Sequence, residues 1–154
     1  MFAIRPTPED LARGLESWDW LDFSGLQPIL VSSFGDVFFE GGDGIHLLDT
    51  IEGKLKHIAS DRLELESKLA TEQGQDEFLL AGLVIGARDR LNLTLQDGEC
   101  YDFKIPPILS GSIAVENMQK MSFVVKLNLC GQIHKQVKDL APGTRINGFK
   151  LEES

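Results

Sequence analysis

Residues 37–59 read VFFEGGDGIHLLDTIEGKLKHIA, and this stretch decides the fold class. Two runs rich in β-branched, aromatic and large apolar residues, 37–40 and 45–49, flank Gly41-Gly42-Asp43-Gly44. Such runs favour a pleated, half-buried surface, and glycine supplies the turn backbone between them. The stretch therefore predicts a hairpin with a four-residue glycine turn. Glu52-Gly53 marks a second turn, and residues 54–59 alternate polar with apolar. Upstream, residues 28–34 are β-rich and end at Gly35-Asp36. The expectation is an antiparallel meander of about four strands over 28–59.

Helical signals surround it. Thr7-Pro8-Glu9-Asp10 combines a cap, a proline suited to the first helical position and two acids at the positive dipole end. Leu11, Leu15 and Trp18 then share a face, and the aromatic stretch 18–23 packs that helix onto the rest. Asp61 and Glu64 form a capping box for a short helix carrying Leu65 and Leu69, which Gly74 is expected to break. Residues 77–90 predict a second helix, with Leu80, Leu83, Val84, Ala87 and Leu91 at helical spacing. It is apolar on most sides and so is expected at the centre of the core. Residues 92–112 look irregular, apart from an Asp97-Gly98 turn and a strand-like alternation over 101–105 that Pro106-Pro107 stops. Phe123, Leu127, Cys130, Ile133, Val137 and Leu140 form a stripe predicting a helix to 140, ended by Pro142-Gly143. Residues 145–151 predict a last short strand. The order gives an α+β fold, an antiparallel meander packed against several helices in a single domain. Within it, 1–27 form an N-terminal helix and aromatic segment and 28–154 the main body.

Bulk properties agree. A chain of 154 residues fits one domain and buries roughly 68–70% of its unfolded surface, enough to fold without disulfide or metal. With 42% hydrophobic and 25% charged residues, the composition is that of a globular protein. Cys100 and Cys130 lack framework spacing, so two reduced thiols and a cytoplasmic location are expected. The opening MFAIRPTPEDL carries no apolar core of a signal peptide. The longest uncharged apolar run, 78–86, is too short to span a bilayer, so no membrane partner is expected. Fifteen basic against 24 acidic residues give a net charge of −9. That charge opposes direct nucleic-acid binding, which needs clustered Lys and Arg, and favours a basic partner.

The search for chemistry yields little. Gly41-Gly42-Asp43-Gly44 lacks the Lys-Ser/Thr and the helix of a phosphate loop. His46 and Asp49 make H-x-x-D, but residues i and i+3 of a strand face opposite ways, so they are not expected to share a metal. Cys130 and His134 are neighbours at i, i+4 on the last helix and form the sharpest enzymatic alternative. A reactive cysteine usually sits at a helix N-terminus, whereas Cys130 is mid-helix. A zinc site of both cysteines with His134 lacks ligand spacing. No catalytic residue, cofactor or metal is expected. A non-catalytic binding or scaffold module is the other alternative.

Three blocks carry a family resemblance. SSFGDVFFEGGDGIHLLDTIEGKL, YDFKIPPILSGS and SFVVKLNLCGQIHKQVKDLAPGT resemble, in order, the opening, middle and closing blocks of the C-terminal domain of Tdi-type type VI secretion immunity proteins. The likeness spans about residues 28–149. The domain is often preceded by a GAD-like domain, for which the first 27 residues leave little room. The resemblance implies a protein that binds and blocks a cognate effector toxin, in several cases a nuclease, with no catalysis of its own. It also implies that Phe34, Gly35, Asp36, His46, Leu48, Asp49, Tyr101, Phe103, Pro106, Pro107, Gln132, His134, Gln136 and Gly143 define the fold. Ser110 departs from the glycine expected after the Pro-Pro turn. A nuclease holds phosphates on a basic surface, so an acidic inhibitor suits it. Glu64, Glu66, Glu72, Asp76 and Glu77, together with Asp97 and Glu99, are the candidate toxin-binding residues.

Overall fold

The computed structural model describes residues 2–141 together with Gly143, Thr144, Ile146, Gly148 and Leu151. The glycine hairpin is tighter than expected. Strand β3 (Val37–Gly41) and strand β4 (Gly44–Asp49) pair as far as Gly41 opposite Gly44, so only Gly42-Asp43 form the loop. Strand β2 (Gln27–Ser32) precedes them and strand β5 (Lys54–Ala59) follows. The predicted meander of four antiparallel strands is present, and a fifth extends it. Strand β1 (Ala3–Ile4) pairs antiparallel with β2, giving the order β1-β2-β3-β4-β5. Two residues are too short a run to show any period, so the sequence carried no signal for β1.

Helix α1 (Pro8–Leu15) starts as expected: the Thr7 hydroxyl accepts from the Asp10 amide. A 3-10 turn, Glu16–Trp18, follows. Helix α2 (Arg62–Leu69) is capped by Asp61, which accepts from the Glu64 amide, while the Glu64 carboxylate reaches back to Ser60. The next region corrects the sequence reading. Gly74 does not break a helix but lies inside helix α3 (Glu72–Leu79), which Thr71 caps. The break falls at Leu80, in the left-handed region at φ 52°, before helix α4 (Ala81–Leu91). The segment 77–90 is thus parts of two helices. A leucine in this conformation has no turn-forming signature, and here its N–H donates to the Asp76 carbonyl while its own carbonyl accepts from Val84.

Strand β6 (Glu99–Phe103) pairs antiparallel with strand β7 (Met118–Ser122) as a separate two-stranded sheet. Helix α5 (Phe123–Val137) runs directly out of β7. It ends at 137 rather than 140, and Pro142 and most of the expected strand 145–151 lie outside the described residues.

Helices cover both faces of the five-stranded sheet, which is why three successive residues of β3, Val37, Phe38 and Phe39, are all buried. Strand alternation sends Val37, Phe39 and Leu48 to one face, where they meet Trp18, Phe123 and Leu127. Phe38, Ile45 and Leu47 go to the other, against Leu65 of α2 and Leu79 of α3. A third cluster joins Phe34, Val84, Ala87, Tyr101, Phe103 and Met118. The central helix is α5, not 77–90: Ile85 and Leu91 of α4 are exposed, whereas α5 buries Phe123, Val124, Lys126, Leu127, Asn128, Gly131 and His134. The predicted stripe holds only at its start. Beyond Leu127 the buried face passes through Gly131 and His134, while Leu140 is exposed. The close approach of the Glu16–Trp18 turn causes this: Trp18 Nε1 donates to the Leu127 carbonyl at 2.9 Å and the Ser17 hydroxyl to the Asn128 carbonyl at 2.7 Å. The fold is an α+β single domain.

Candidate functional site

Two distant segments meet α5 at a buried polar cluster. Asp36, immediately before β3, accepts on Oδ1 from both the Thr50 amide (2.9 Å) and the Thr50 hydroxyl (2.6 Å). That hydroxyl in turn accepts from Lys126 Nζ at 2.7 Å, and Lys126 also donates to the Phe34 carbonyl. Thr50 thereby links a buried carboxylate to a buried ammonium. Burial pushes the Asp36 carboxyl up from its ordinary value, against the pull of Lys126 and Thr50. Burial also works against the Lys126 charge, but Cys130, Asp36, Cys100 and Asp102 around it outweigh that effect and hold its pKa above the usual lysine value. Among the described residues no buried side-chain nitrogen or oxygen lacks a partner, as burial of charged and polar groups requires.

His134 closes the cluster from one turn pair further along α5. Its Nε2 donates to the Thr50 carbonyl at 2.9 Å, since a carbonyl only accepts. Its ring lies 5.8 Å from that of Trp18, and burial lowers its pKa. Gly53 in the β4–β5 turn gives the ring room: φ is +69°, and a Cβ there would stand 2.3 Å from Nδ1. Asp49 shapes the same turn by accepting from the Ile51 and Glu52 amides and pairing with Lys56 at 2.9 Å. Gln132 donates to Asn128 and Gln136 to the Gln132 carbonyl, both along α5.

This geometry opposes the enzymatic alternative. Burial pushes the Cys130 thiol up to about 11 and the Cys100 thiol up to about 12. Neither is the stabilised thiolate a nucleophile needs. The Nε2 of His134 is already committed to Thr50.

The remaining motif residues build the frame. Gly35 takes φ +85° in the turn between β2 and β3. Phe34 packs between Tyr101 (centroids 5.9 Å) and Phe103 (5.4 Å), and the Tyr101 hydroxyl donates to the Leu93 carbonyl. Pro106 precedes, and Pro107 begins, a 3-10 turn that ends at Ser110 with φ 72°. That left-handed backbone is the physical reason a glycine is expected there. Gly143 also has positive φ. His46 does not meet Asp49. It hydrogen-bonds Asp43 and lies opposite His57 of β5.

The acidic candidates fall into two separate groups. Glu64, Glu66, Glu72, Asp76 and Glu77 belong to α2 and α3, which pack together. Glu64 is engaged locally: bonds from the Ser60 amide and hydroxyl, with Lys68 nearby, hold its carboxyl down at about 2. Asp76 accepts from the Gly82 amide. Glu66, Glu72 and Glu77 are exposed. Asp97 and Glu99 instead rim an open cleft of about 810 Å3, whose lining also includes Arg5 and Arg88. Glu99 accepts from the Gln96 amide and pairs with Lys120. An apolar feature absent from the expected site is the exposed Ile105, Ile108 and Ile113 on the loop between β6 and β7. Ile108 edges a groove of about 180 Å3 that reaches Lys126 and His134. Three isoleucines within nine residues of a Pro-Pro loop were the available signal.

Residues 59–134 match a family described as the T6SS immunity protein Tdi1, C-terminal. The match is narrower than the blocks suggest: it includes Tyr101, Phe103, Pro106, Pro107, Gln132 and His134 but begins after the β2–β4 block. No curated protein matches the sequence. Among solved structures the chain is similar to the crystal structure of Atu4351 from Agrobacterium tumefaciens, at 20% identity and a TM-score of 0.53. The likeness covers 80% of this chain and 62% of that one, so the chain spans about three fifths of that protein's length; at this identity it shows a shared fold. No helix among the described residues is long and apolar enough to cross a membrane.

Proposed function

We propose, from the match of residues 59–134 to the family described as T6SS immunity protein Tdi1, C-terminal, that this chain binds a cognate type VI secretion effector and neutralises it by stoichiometric contact. The family match is the observation that carries this reading. The effector is proposed to be a nuclease with a basic surface. A charge of −9 steers such a partner towards this protein and speeds encounter. Glu66, Glu72 and Glu77, exposed on α2 and α3, are the proposed first contacts, with Asp97 and Glu99 a second acidic face. Affinity needs a desolvated apolar centre beside charged rims, and Ile105, Ile108 and Ile113 are the exposed apolar side chains that suit it. The protein itself carries out no chemistry, binds no nucleic acid directly and acts in the cytoplasm of the cell it protects.

The test is co-expression of the full chain with the effector encoded beside it. Rescue of growth and co-purification of the two proteins are expected. Failure of both, with that effector and with any others encoded nearby, contradicts the proposal and leaves a binding module without a toxin as the better account.

A further inference from the structure

The β3–β4 hairpin carries side chains that the reading above does not use. Register places His46 of β4 opposite His57 of β5, and directly opposed residues of an antiparallel pair share one face of the sheet. The two rings meet edge to face, with centroids 5.1 Å apart and planes at 80°. Asp43, in the two-residue turn, folds over them. Its Oδ1 accepts from His46 Nε2 at 2.9 Å, and its backbone carbonyl accepts from His57 Nε2 at 2.9 Å. One ligating atom from each of the three residues lies within 4.8 Å of the other two. Gly44 leaves the space for this. It takes φ +129°, and a Cβ there would stand 2.7 Å from His57 Nε2 and 2.3 Å from the Ala59 carbonyl. Any other residue at 44 would fill the edge of the cluster.

We propose that Asp43, His46 and His57 form a binding site for a divalent transition metal of borderline softness, with Zn2+ as the reference ion. The ligands are Nε2 of both histidines and a carboxylate oxygen of Asp43, and water takes the fourth position.

The donor set selects the ion class. Imidazole nitrogen suits Zn, Cu, Ni and Fe, whereas Ca2+ and Mg2+ take oxygen ligands. Two imidazoles and one carboxylate are the three-ligand set of an open tetrahedral zinc site. Bonds of about 2.0–2.2 Å place tetrahedral ligand atoms roughly 3.4 Å apart, so the cluster must contract modestly. Its members differ in freedom to do so: the His46 side chain is 17% exposed and that of Asp43 70%, and His57 is exposed. His46 is the fixed member, towards which the other two turn. Binding exchanges the hydrogen bonds on the two Nε2 atoms for metal bonds. The proton on each Nε2 passes through solvent to leave that nitrogen's lone pair for the metal, and Nδ1 carries the ring proton. The other donors of this type compete poorly: Cys100 is fully buried and His134 is bonded to Thr50.

The experiment uses the full chain after chelator treatment, titrated with Zn2+ by calorimetry and with Co2+ by visible absorption. The expected result is saturable binding of one equivalent per chain, a rise in melting temperature with Zn2+, and no competition from excess Mg2+. The Co2+ complex is expected to show d–d bands without a thiolate charge-transfer band. His57→Gln is the decisive variant, because the His57 side chain is exposed. It is expected to weaken Zn2+ binding at least about tenfold with an unchanged circular dichroism spectrum and melting temperature in the absence of metal. Asp43→Asn is expected to do the same. Absence of saturable binding overturns the proposal. So do unchanged affinity in folded His57→Gln, or a thiolate band that places the metal on a cysteine. None of these outcomes depends on whether an effector binds, so this inference and the immunity reading fail separately.

Discussion

His134 and Gly53 occupy the same space from opposite sides: a Cβ on Gly53 would stand 2.3 Å from His134 Nδ1 and 2.4 Å from Cγ. The turn between β4 and β5 is therefore built around the imidazole. Gly53→Ala is expected to lower stability by about 3 kcal/mol, the left-handed backbone and the overlap each costing on the order of 1–3 kcal/mol. His134→Ala alone is expected to cost about 1–3 kcal/mol, because the buried Thr50 carbonyl loses its donor. The two are not additive. With His134 already removed, the further cost of Gly53→Ala falls to about 1 kcal/mol, the backbone contribution alone. Urea denaturation of the four proteins measures the coupling, and additive losses would contradict the contact.

His134 also links stability to pH. Burial lowers its folded pKa below the ordinary histidine value of 6.5, so below that value the unfolded chain binds more protons than the folded one. Stability contributed by the neutral ring is complete above about pH 6.5 and is lost as pH falls below it towards the folded pKa. Denaturation midpoints between pH 7.5 and pH 5 are expected to fall more steeply in the parent than in His134→Gln. Equal slopes would show that another group governs this window. Asp36, whose pKa is raised by burial, acts with the opposite sign in both proteins and cancels in the comparison.

Lys126 holds the buried carboxylate of Asp36 through Thr50. Lys126→Met leaves that carboxylate without a compensating charge and is expected to cost about 3–5 kcal/mol. Asp36→Asn together with Lys126→Met removes both charges and is expected to be less destabilised than Lys126→Met alone. Thermal denaturation of the single and double variants decides it, and a double variant worse than the single one would contradict the linkage.

Cys130 is half-buried, and its thiol is pushed up to about 11. At pH 8 it is expected to react with a disulfide reagent at least about a hundredfold more slowly than in the urea-unfolded chain, since only the thiolate reacts. Rapid labelling of the folded protein near neutral pH would revive the Cys130–His134 enzymatic alternative.

How much of this was legible in the sequence depended on how local the cause was. The meander could be read because glycine turns and strand composition act within a few residues, and the caps at Thr7 and Asp61 for the same reason. The separation of α3 from α4 could not, because Leu80 is held left-handed by its neighbours rather than by its own preference. The buried face of α5 was misjudged past Leu127. Hydrophobicity favoured Cys130, Ile133 and Val137, but contact with the Ser17 and Trp18 turn selects Gly131 and His134 instead. Similarly, Asp36, Thr50 and Lys126 are far apart in the chain and ordinary in type. The acidic segments were visible, but not that Glu64, Asp76 and Glu99 are engaged with local backbone amides. The H-x-x-D spacing of His46 and Asp49 is visible within one strand, whereas only pairing register sets His46 beside His57.

The central claim is neutralisation by stoichiometric binding, and titration of the effector's activity tests it most directly. A fixed amount of purified effector is assayed against increasing amounts of the full chain. The account predicts a linear loss of activity that ends at one equivalent, with an association rate that falls as salt rises. Activity that persists at several equivalents would contradict it, as would inhibition by amounts of the chain far below one equivalent, which would point to catalysis.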